Sequence, residues 1–316
     1  MKSETIPIIA FDSRLNLPFE ARYLLGKCSR VFPLYVISNT KQYLPGPNLV
    51  SPQSLNYAST YSDFLKTYVH LSPNSKNYEL ACFERYFAYL ALAKKFGWNY
   101  FWVIDTDVLV TPSLALWNSF RNCVFSAPNP DDAVSAHCAL FTLSDLEKFV
   151  AYLRSVYFSE SNLPKLQLEF ATKQAKSSGG INDMTALAQW LRDNKVTWVN
   201  AEEVLSLPRI SHVFPSEYLA KSPSVSVTIG EKITLHRLGS SKRDQFCAIH
   251  FQGGAKLMIF AMIFGNGNYL TSNSWVALEQ LSSKLASGLH LVRRLRSNAK
   301  IPQLLRAGRK SENPLG

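Results

Sequence analysis

The 316-residue sequence lacks the marks of several specialised classes of protein. Its five cysteines form no Cys-x-x-Cys pair, which argues against a zinc ribbon or a disulfide scaffold and favours a reducing compartment. The first residues do not show the basic and then apolar order of a secretory signal. The longest apolar run, near residues 257–264, has about half the length that crosses a bilayer. We therefore expect a soluble, cytoplasmic protein.

Common phosphate-binding and hydrolase motifs are also missing, since there is no Walker sequence, Gly-x-Ser-x-Gly elbow or His-Glu-x-x-His segment. Apolar residues make up 47% of the chain and charged residues 18%, which excludes wholesale disorder and allows a large core. The length fits two domains or one large α/β domain. Because no clean linker interrupts the chain, we expect one continuous domain followed by a C-terminal extension.

Positive charge is concentrated at the end of the chain. The net charge is +11, and residues 281–316 hold eight basic side chains against a single acid, Glu312. Leucine and isoleucine alternate with these cations, a pattern that suits an anionic membrane surface but also a solvated terminus. Nucleic acid is not an expected partner, because the tail has no aromatic residues for stacking and the rest of the chain is only mildly basic.

The first third of the chain alternates strand and helix patterns, which favours a mostly parallel sheet with helices on both faces. Predicted strands lie at 7–11, 31–38, 100–104, 123–127, 136–142 and 246–250, with a hairpin at 225–238. Predicted helices lie at 19–28, 78–96, 144–154 and 182–193, and residues 39–77 are expected to form a long loop with short elements. Gly97 is a natural helix stop, and Ser144 with Glu147 forms a capping-box pattern.

The segment Asp105-Thr106-Asp107 follows the apolar strand at 100–104. On a regular strand these two carboxylates would point to opposite faces, so they converge only if the strand ends and the chain turns there. Ligands of open α/β sheets gather beyond the carboxyl ends of the strands. Hard carboxylate oxygens suit Mg²⁺ or Mn²⁺, which bridge to a diphosphate. The pair therefore indicates a metal site, although an ordinary acidic turn gives the same pattern.

A second candidate is His250, at the end of the last predicted strand. Gly253 follows closely and would let the backbone approach a ligand, while Lys256 would place a positive charge beside phosphate oxygens. Taken alone, such a histidine is more typical of a core. Together with the aspartate pair, it becomes the third ligand of an octahedral metal site.

A third candidate is Asp183, in the first turn of a helix that follows the pair Gly179-Gly180. An acid there can contact an acceptor hydroxyl or a reacting sugar, whereas the preceding Asn182 is better explained as a helix cap. Arg85, on the helix before the aspartate pair, could reach a phosphate, but a surface or interhelical role fits it better. By contrast, His137 and Cys138 lie on a predicted buried strand and are assigned to the core.

Together these segments resemble a GT-A-fold glycosyltransferase with a nucleotide-sugar donor, over roughly residues 6–260. The stretch from His250 through Gly253 to Lys256 is similar to the His-x-x-Gly-x-x-Lys-Pro-Trp segment of glycosyltransferase family eight, although Leu257-Met258 replaces Pro-Trp. The resemblance implies a Rossmann-like domain over residues 1–270 and a helical basic tail over 271–316. The nucleotide-binding part would cover about 6–130 and the acceptor part about 131–270.

The resemblance also implies the roles of individual residues. Asp105, Asp107 and His250 would hold Mn²⁺ or Mg²⁺ against the diphosphate of a nucleotide sugar, expected to be a UDP-sugar. Donor contacts would come from a group of five residues: Asp105, Lys256, Gly253, Phe11 and Arg85. A hexose would pass to a glycan or glycolipid hydroxyl, with Asp183 as general base if the configuration inverts or as a positioning group if it is retained. Bacterial members of the family rest a basic tail on the membrane, which residues 285–316 would suit.

Two other functions use similar residues. Sugar-1-phosphate nucleotidylyltransferases also combine paired acids with a divalent metal, but they carry a glycine-rich loop near the N-terminus, and residues 8–14 contain no glycine. The other alternative is a membrane-binding or glycan-binding protein on an inactive transferase scaffold. Retention of both aspartates, the histidine and the lysine disfavours that alternative.

Overall fold

The computed structural model describes residues 6–157, 162–175, 179–211, 224–237, 243–252, 256, 259 and 270–271. All of these lie in one compact unit, Met1–Thr271. Residues 272–316, which contain nearly all of the predicted helical tail, lie outside the described part. None of the described helices is both long enough and apolar enough to span a bilayer.

The described residues form six α-helices and thirteen strands. The helices are α1 Phe19–Cys28, α2 Ala58–Thr67, α3 Lys76–Phe96, α4 Leu143–Val156, α5 Leu163–Ala175 and α6 Asp183–Asp193. The strands are β1 Ile8–Asp12, β2 Leu34–Ser38, β3 Asn48–Val50, β4 Tyr100–Ile104, β5 Val108–Val110, β6 Cys123–Asn129, β7 Ala133–Thr142, β8 Trp198–Asn200, β9 Arg209–Ser211, β10 Ser224–Ile229, β11 Ile233–Arg237, β12 Arg243–His250 and β13 Leu270–Thr271. Short 3₁₀ helices cover Pro52–Ser54 and Pro112–Ser119.

The central sheet has seven strands in the order β3-β2-β1-β4-β7-β6-β8. Four neighbouring pairs are parallel, and β7 runs antiparallel to both of its neighbours. Alternate residues of β4 enter two separate apolar cores, with Val103 in one and Trp102 in the other. Both faces are therefore covered, as expected for a buried sheet. The predicted α/β class with a mostly parallel central sheet is confirmed.

A second sheet, which the sequence patterns do not predict, has the order β13-β10-β11-β12-β5, with β9 paired to β12. The predicted hairpin forms its β10–β11 pair. The predicted final strand is longer than expected and begins at Arg243. Strand β5 is only three residues long and joins the sheet by pairing antiparallel with β12. A three-residue strand shows too little alternation to be recognised from sequence.

Several local predictions can be compared directly with the structure. Helix α3 ends at Gly97, which adopts the left-handed conformation (φ 69°), as predicted. The capping prediction for Ser144 is wrong: Thr142 caps α4, because its Oγ1 accepts a hydrogen bond from the Asp145 amide at 3.0 Å. The expected loop at 39–77 contains α2. This helix buries fully only Phe64, so it lacks the aliphatic stripe by which helices are recognised.

Candidate functional site

The aspartate pair links the two sheets. Strand β4 ends at Ile104 in the central sheet and β5 begins at Val108 in the second sheet. A turn forms between them, because the Val108 amide donates to the Asp105 carbonyl at 3.2 Å. The strand therefore ends directly before Asp105, and the chain turns there. This turn is what allows the two carboxylates to converge.

Backbone hydrogen bonds fix this turn on both sides. The Asp105 amide donates to the His137 carbonyl of β7 at 2.8 Å, and the Phe251 amide donates to the Asp107 carbonyl at 2.9 Å. One aspartate is therefore tied to the central sheet and the other to the segment that follows β12. The position of both carboxylates depends on the junction of the two sheets.

The structure brings Asp105, Asp107 and His250 together. Their potential ligand atoms, one from each side chain, lie within 4.8 Å of one another, which is close enough to share one cation. His250 reaches this point because it pairs with Val108 in the β12–β5 ladder. Its Nε2 lies 3.1 Å from Asp107 Oδ1. Pairing between β12 and β5 therefore brings His250 close to Asp107, although 143 residues separate them in the sequence.

Lys256 lies beside the same carboxylate. Its Nζ is 2.7 Å from Asp107 Oδ2, and its side chain is 40% exposed. The Lys256 ammonium is therefore accessible to a ligand in solution. Gly253, the glycine predicted to approach the donor, lies outside the described residues.

On the other side of the site, Arg85 of α3 joins two acids. One terminal nitrogen lies 2.5 Å from Asp105 Oδ1, and the other forms an ion pair with Asp183 Oδ2. The Tyr86 hydroxyl donates to the same Asp183 oxygen at 3.0 Å. The predicted interhelical role of Arg85 is thus present, because its guanidinium connects α3 with the first residue of α6.

The position of Asp183 is set by the start of α6. The preceding Asn182 caps the helix, since its side-chain oxygen accepts from the Thr185 amide at 3.0 Å. This confirms the capping prediction. Asp183 itself is buried and faces the aspartate turn through Arg85. Arg85 therefore links Asp183 to the aspartate pair, while the predicted contact of Asp183 with an acceptor or sugar stays a prediction.

The two aspartates of the motif have opposite electrostatic environments. Burial raises the pKa of Asp105 above its ordinary value, although Arg85 and His250 oppose this shift. Burial acts on Asp107 in the same direction, but hydrogen bonds and charge from His250 and Lys256 outweigh it and lower its pKa. Asp107 is consequently the better stabilised of the two anions.

Phe11 and a neighbouring ion pair border the site at the end of β1. The register Ala10↔Ile104 brings Phe11 level with Asp105, and the Phe11 side chain is partly buried against the core. Asp12 accepts from Arg14 Nε at 2.8 Å, and Arg14 also donates to the Thr106 hydroxyl at 3.3 Å. Asp12 and Arg14 are not among the site residues predicted from the sequence. The rule that marked Asp105, an acid at the end of a buried strand, would also have marked Asp12.

Comparisons with known proteins find distant similarities of structure. No protein-family model and no curated protein matches the chain. Among solved structures, the chain is similar to mouse xyloside xylosyltransferase 1 in its apo form (12% identity, TM-score 0.40, covering 62% of this chain and 84% of that one). It is also similar to galactosyltransferase LgtC in complex with donor and acceptor sugar analogues (14% identity, TM-score 0.41, covering 86% and 95%).

A third solved structure is a cytidylyltransferase from Leptospira borgpetersenii serovar Hardjo-bovis (13% identity, TM-score 0.33, covering 89% of this chain and 94% of that one). Likenesses of this size are too distant to carry an inference about chemistry. The reaction is therefore inferred from the side chains of the site.

Proposed function

We propose that this protein is a metal-dependent glycosyltransferase that moves a hexose from a nucleotide sugar, a UDP-sugar, to a hydroxyl of a glycan or glycolipid. The observation that carries the proposal is the cluster of Asp105, Asp107 and His250, whose ligand atoms lie within 4.8 Å of one another. The cluster lies beyond the carboxyl end of β4, where open α/β sheets bind ligands. Lys256 adds a positive charge beside it.

The chemistry of these side chains fits a divalent cation. Two carboxylates are the ligands that Mg²⁺ and Mn²⁺ prefer, and the imidazole nitrogen favours Mn²⁺ of the two, because Mg²⁺ binds almost entirely through oxygen. Asp105, Asp107 and His250 would hold the ion. When bound, it supplies positive charge to the diphosphate, which becomes more negative as the sugar leaves.

The chain's own groups act around that charge. Lys256 can move its ammonium from Asp107 to a phosphate oxygen, because its side chain is partly exposed. Arg85 is committed to Asp105 and Asp183 and therefore holds these two acids at a fixed separation. Groups that are oriented before the substrate binds need no rearrangement in the transition state, and this is why they lower the barrier.

In the proposed transfer, an acceptor oxygen forms a bond to the anomeric carbon of the donor sugar. The bond from that carbon to the diphosphate oxygen breaks, and its electron pair leaves with the nucleoside diphosphate. The acceptor proton passes to Asp183 if the configuration inverts. If the configuration is retained, the proton goes to the departing phosphate, and Asp183 orients the sugar from the position that Arg85 and Tyr86 give it.

The decisive experiment compares the wild type with Asp107→Asn, and with Asp63→Asn as a matched control. Asp63 lies on exposed α2 and pairs with Lys66 at 2.9 Å, away from the site. We expect nucleoside diphosphate release from a nucleotide sugar to require Mn²⁺, to be lost in Asp107→Asn and to persist in Asp63→Asn. A saturating donor should also raise the thermal stability of the wild type, by about 2.7 kcal/mol at 100 times its Kd.

Two results would contradict the proposal. Full turnover by folded Asp107→Asn would show that the cluster of Asp105, Asp107 and His250 is not needed for activity. Release of pyrophosphate from a nucleoside triphosphate and a sugar phosphate, without sugar transfer, would instead identify a nucleotidylyltransferase.

We also propose that residues 285–316 lie on an anionic membrane surface and keep the cytoplasmic enzyme near a glycolipid acceptor. The support is their excess of basic residues, interleaved with leucines. Deleting residues 285–316 should abolish co-sedimentation with phosphatidylserine vesicles and leave transfer to a soluble acceptor intact. Unchanged vesicle binding by the shortened chain would contradict this role.

A further inference from the structure

A second imidazole lies directly behind the metal cluster. His137 of β7 is 1% exposed, which agrees with its assignment to the core. Its ring stacks on the ring of His250, with centroids 4.9 Å apart and planes inclined by 15°. The two rings come from different sheets, since His250 ends β12. The His137 ring therefore packs against one face of His250, a proposed metal ligand at the end of β12.

The ring of His137 is itself held at both nitrogens. Its Nε2 lies 3.1 Å from the Ser211 carbonyl, and its Nδ1 lies 2.5 Å from the Ser135 hydroxyl. A carbonyl oxygen only accepts, so Nε2 donates and the Ser135 hydroxyl is left to donate to Nδ1 in the neutral ring. The Ser135 oxygen in turn accepts from the His137 amide at 3.3 Å. Rotation of the His137 ring would break both contacts, so its plane is fixed.

The backbone of His137 holds another member of the cluster. Its carbonyl accepts the Asp105 amide at 2.8 Å, at the start of the turn that carries both aspartates. One residue thus contacts His250 through its ring and Asp105 through its main chain. A displacement of β7 at this point would move two of the three proposed ligands.

We propose that His137 is a positioning residue that fixes the imidazole of His250 for metal binding. The metal part rests on the proposed function, whereas the restraint on the His250 ring does not. Partners that orient metal ligands commonly contribute 10–100-fold to metal affinity. The flat face of His137 does the positioning, and its hydrogen bonds to Ser135 and Ser211 keep that face in place.

The test compares His137→Leu with His137→Phe. Both substitutions fill the space of the buried ring and remove its side-chain hydrogen bonds, but only phenylalanine offers a flat face to His250. Cys138→Ala is the matched control, because Cys138 is the next residue of β7 and is buried in the apolar core that contains Trp102. Circular dichroism and thermal unfolding establish that each variant is folded.

Two quantities are measured in each protein: the Kd for Mn²⁺ by titration calorimetry, and the mobility of the His250 ring by NMR relaxation in the metal-free state. We expect the Kd of His137→Leu to rise at least about tenfold and its His250 ring to become mobile. His137→Phe should recover most of the affinity and rigidity, and Cys138→Ala should match the wild type in both.

The outcomes separate the inference from the proposed function. If the wild type binds no Mn²⁺ but His250 is mobile only in His137→Leu, the metal site fails and the positioning role stands. If His250 is equally rigid in the wild type and His137→Leu, or if the phenylalanine and leucine variants behave alike, the positioning role is overturned.

Discussion

The candidate site has two halves that differ in how firmly their charges are held. In the buried half, Arg85 joins Asp105 to Asp183, and the side chains of Arg85 and Asp183 are only 11% and 6% exposed. In the open half, His250 and Lys256 contact Asp107, and Lys256 is 40% exposed. The buried half is a fixed internal ion network. The open half is the part that can exchange its partners for a ligand.

This difference explains why one short motif can serve two purposes. Asp105 is partly exposed, and its charge is balanced by Arg85, a buried arginine that also pairs with Asp183 of α6. Asp107 is paired with Lys256, whose more exposed side chain can move away from the carboxylate to a phosphate of a ligand. Substitutions in each half test this contrast.

Arg85→Met should produce the largest loss of stability. The substitution leaves the buried carboxylate of Asp183 and the partly exposed one of Asp105 without their common cation, which we expect to lower the free energy of unfolding by about 3–5 kcal/mol. Urea unfolding followed by circular dichroism measures this change. A loss below about 1 kcal/mol would mean that the buried network behaves like a surface ion pair, and the contrast would disappear.

Gly180→Ala tests whether the start of α6 is as rigid as the buried half requires. A Cβ atom at Gly180 would lie 2.7 Å from the Leu71 carbonyl oxygen and 2.7 Å from the Ser72 Cα. Because these are backbone atoms, the chain before Asp183 must shift, at an expected cost of about 1–3 kcal/mol. The control is Gly26→Ala within α1, where no atom lies within 4 Å of the added Cβ.

The control should change stability in the opposite direction. Replacing a glycine inside a helix by alanine stabilises it by roughly 0.5–1 kcal/mol. Unfolding curves of both variants provide the comparison. Equal and small effects at the two glycines would show that the segment before Asp183 adapts easily.

Lys256→Met removes the cation of the open half. Since partly exposed ion pairs contribute little, we expect unfolding to change by only about 0–1 kcal/mol. Donor binding should weaken clearly, because a positive charge next to the phosphates is lost. Calorimetric titration with a UDP-sugar and Mn²⁺ measures the second effect. A stability loss as large as that of Arg85→Met would contradict the division into two halves.

The pH dependence of stability should differ in sign for the two aspartates, measured in metal-free protein with a chelator. The folded pKa of Asp107 lies below its ordinary value of 3.8, so its contribution to stability is present above that pH and is lost as the pH falls through the folded pKa. The folded pKa of Asp105 lies above 3.8, so its charged form costs stability at neutral pH, and this cost disappears as the pH falls towards 3.8.

Unfolding free energies at a series of pH values, for the wild type, Asp107→Asn and Asp105→Asn, test both signs. On acidification, the advantage of the wild type over Asp107→Asn should shrink. At higher pH, as the pH falls through the folded pKa of Asp105 towards 3.8, the wild type should gain relative to Asp105→Asn. Differences that stay constant with pH for both variants would show that the two carboxylates titrate alike.

Much of the fold follows from local patterns that the sequence displays openly. Strand β4 is a fully apolar run, and α3 combines an apolar face with Gly97 at its end, so both were predicted nearly to the residue. Strand β5 and helix α2 were missed. The first has only three residues, and the second consists largely of Ser, Thr, Tyr and Asp residues, which are also common in loops.

At the site, too, the sequence indicates the types of side chain but not which of them lie in contact. Residue types alone identified Asp105, Asp107, His250 and Lys256 as candidates, because an acid at a strand end and a histidine near a lysine suit a cation and a phosphate. They did not indicate that Arg85 contacts both Asp105 and Asp183, or that His137 lies against His250. No spacing rule connects residues on α3, β4 and α6.

The α/β class, most helix and strand positions and the types of side chain at the site follow from the order of the amino acids, because they depend on interactions between residues close along the chain. The fold was needed to show that the turn at Asp105–Asp107 joins two sheets, and that one aspartate pairs with a buried arginine while the other pairs with a lysine. The reason is that electrostatic interactions, burial and metal affinity depend on distances in space. That distance is set by pairing between strands far apart in sequence, such as β5 and β12.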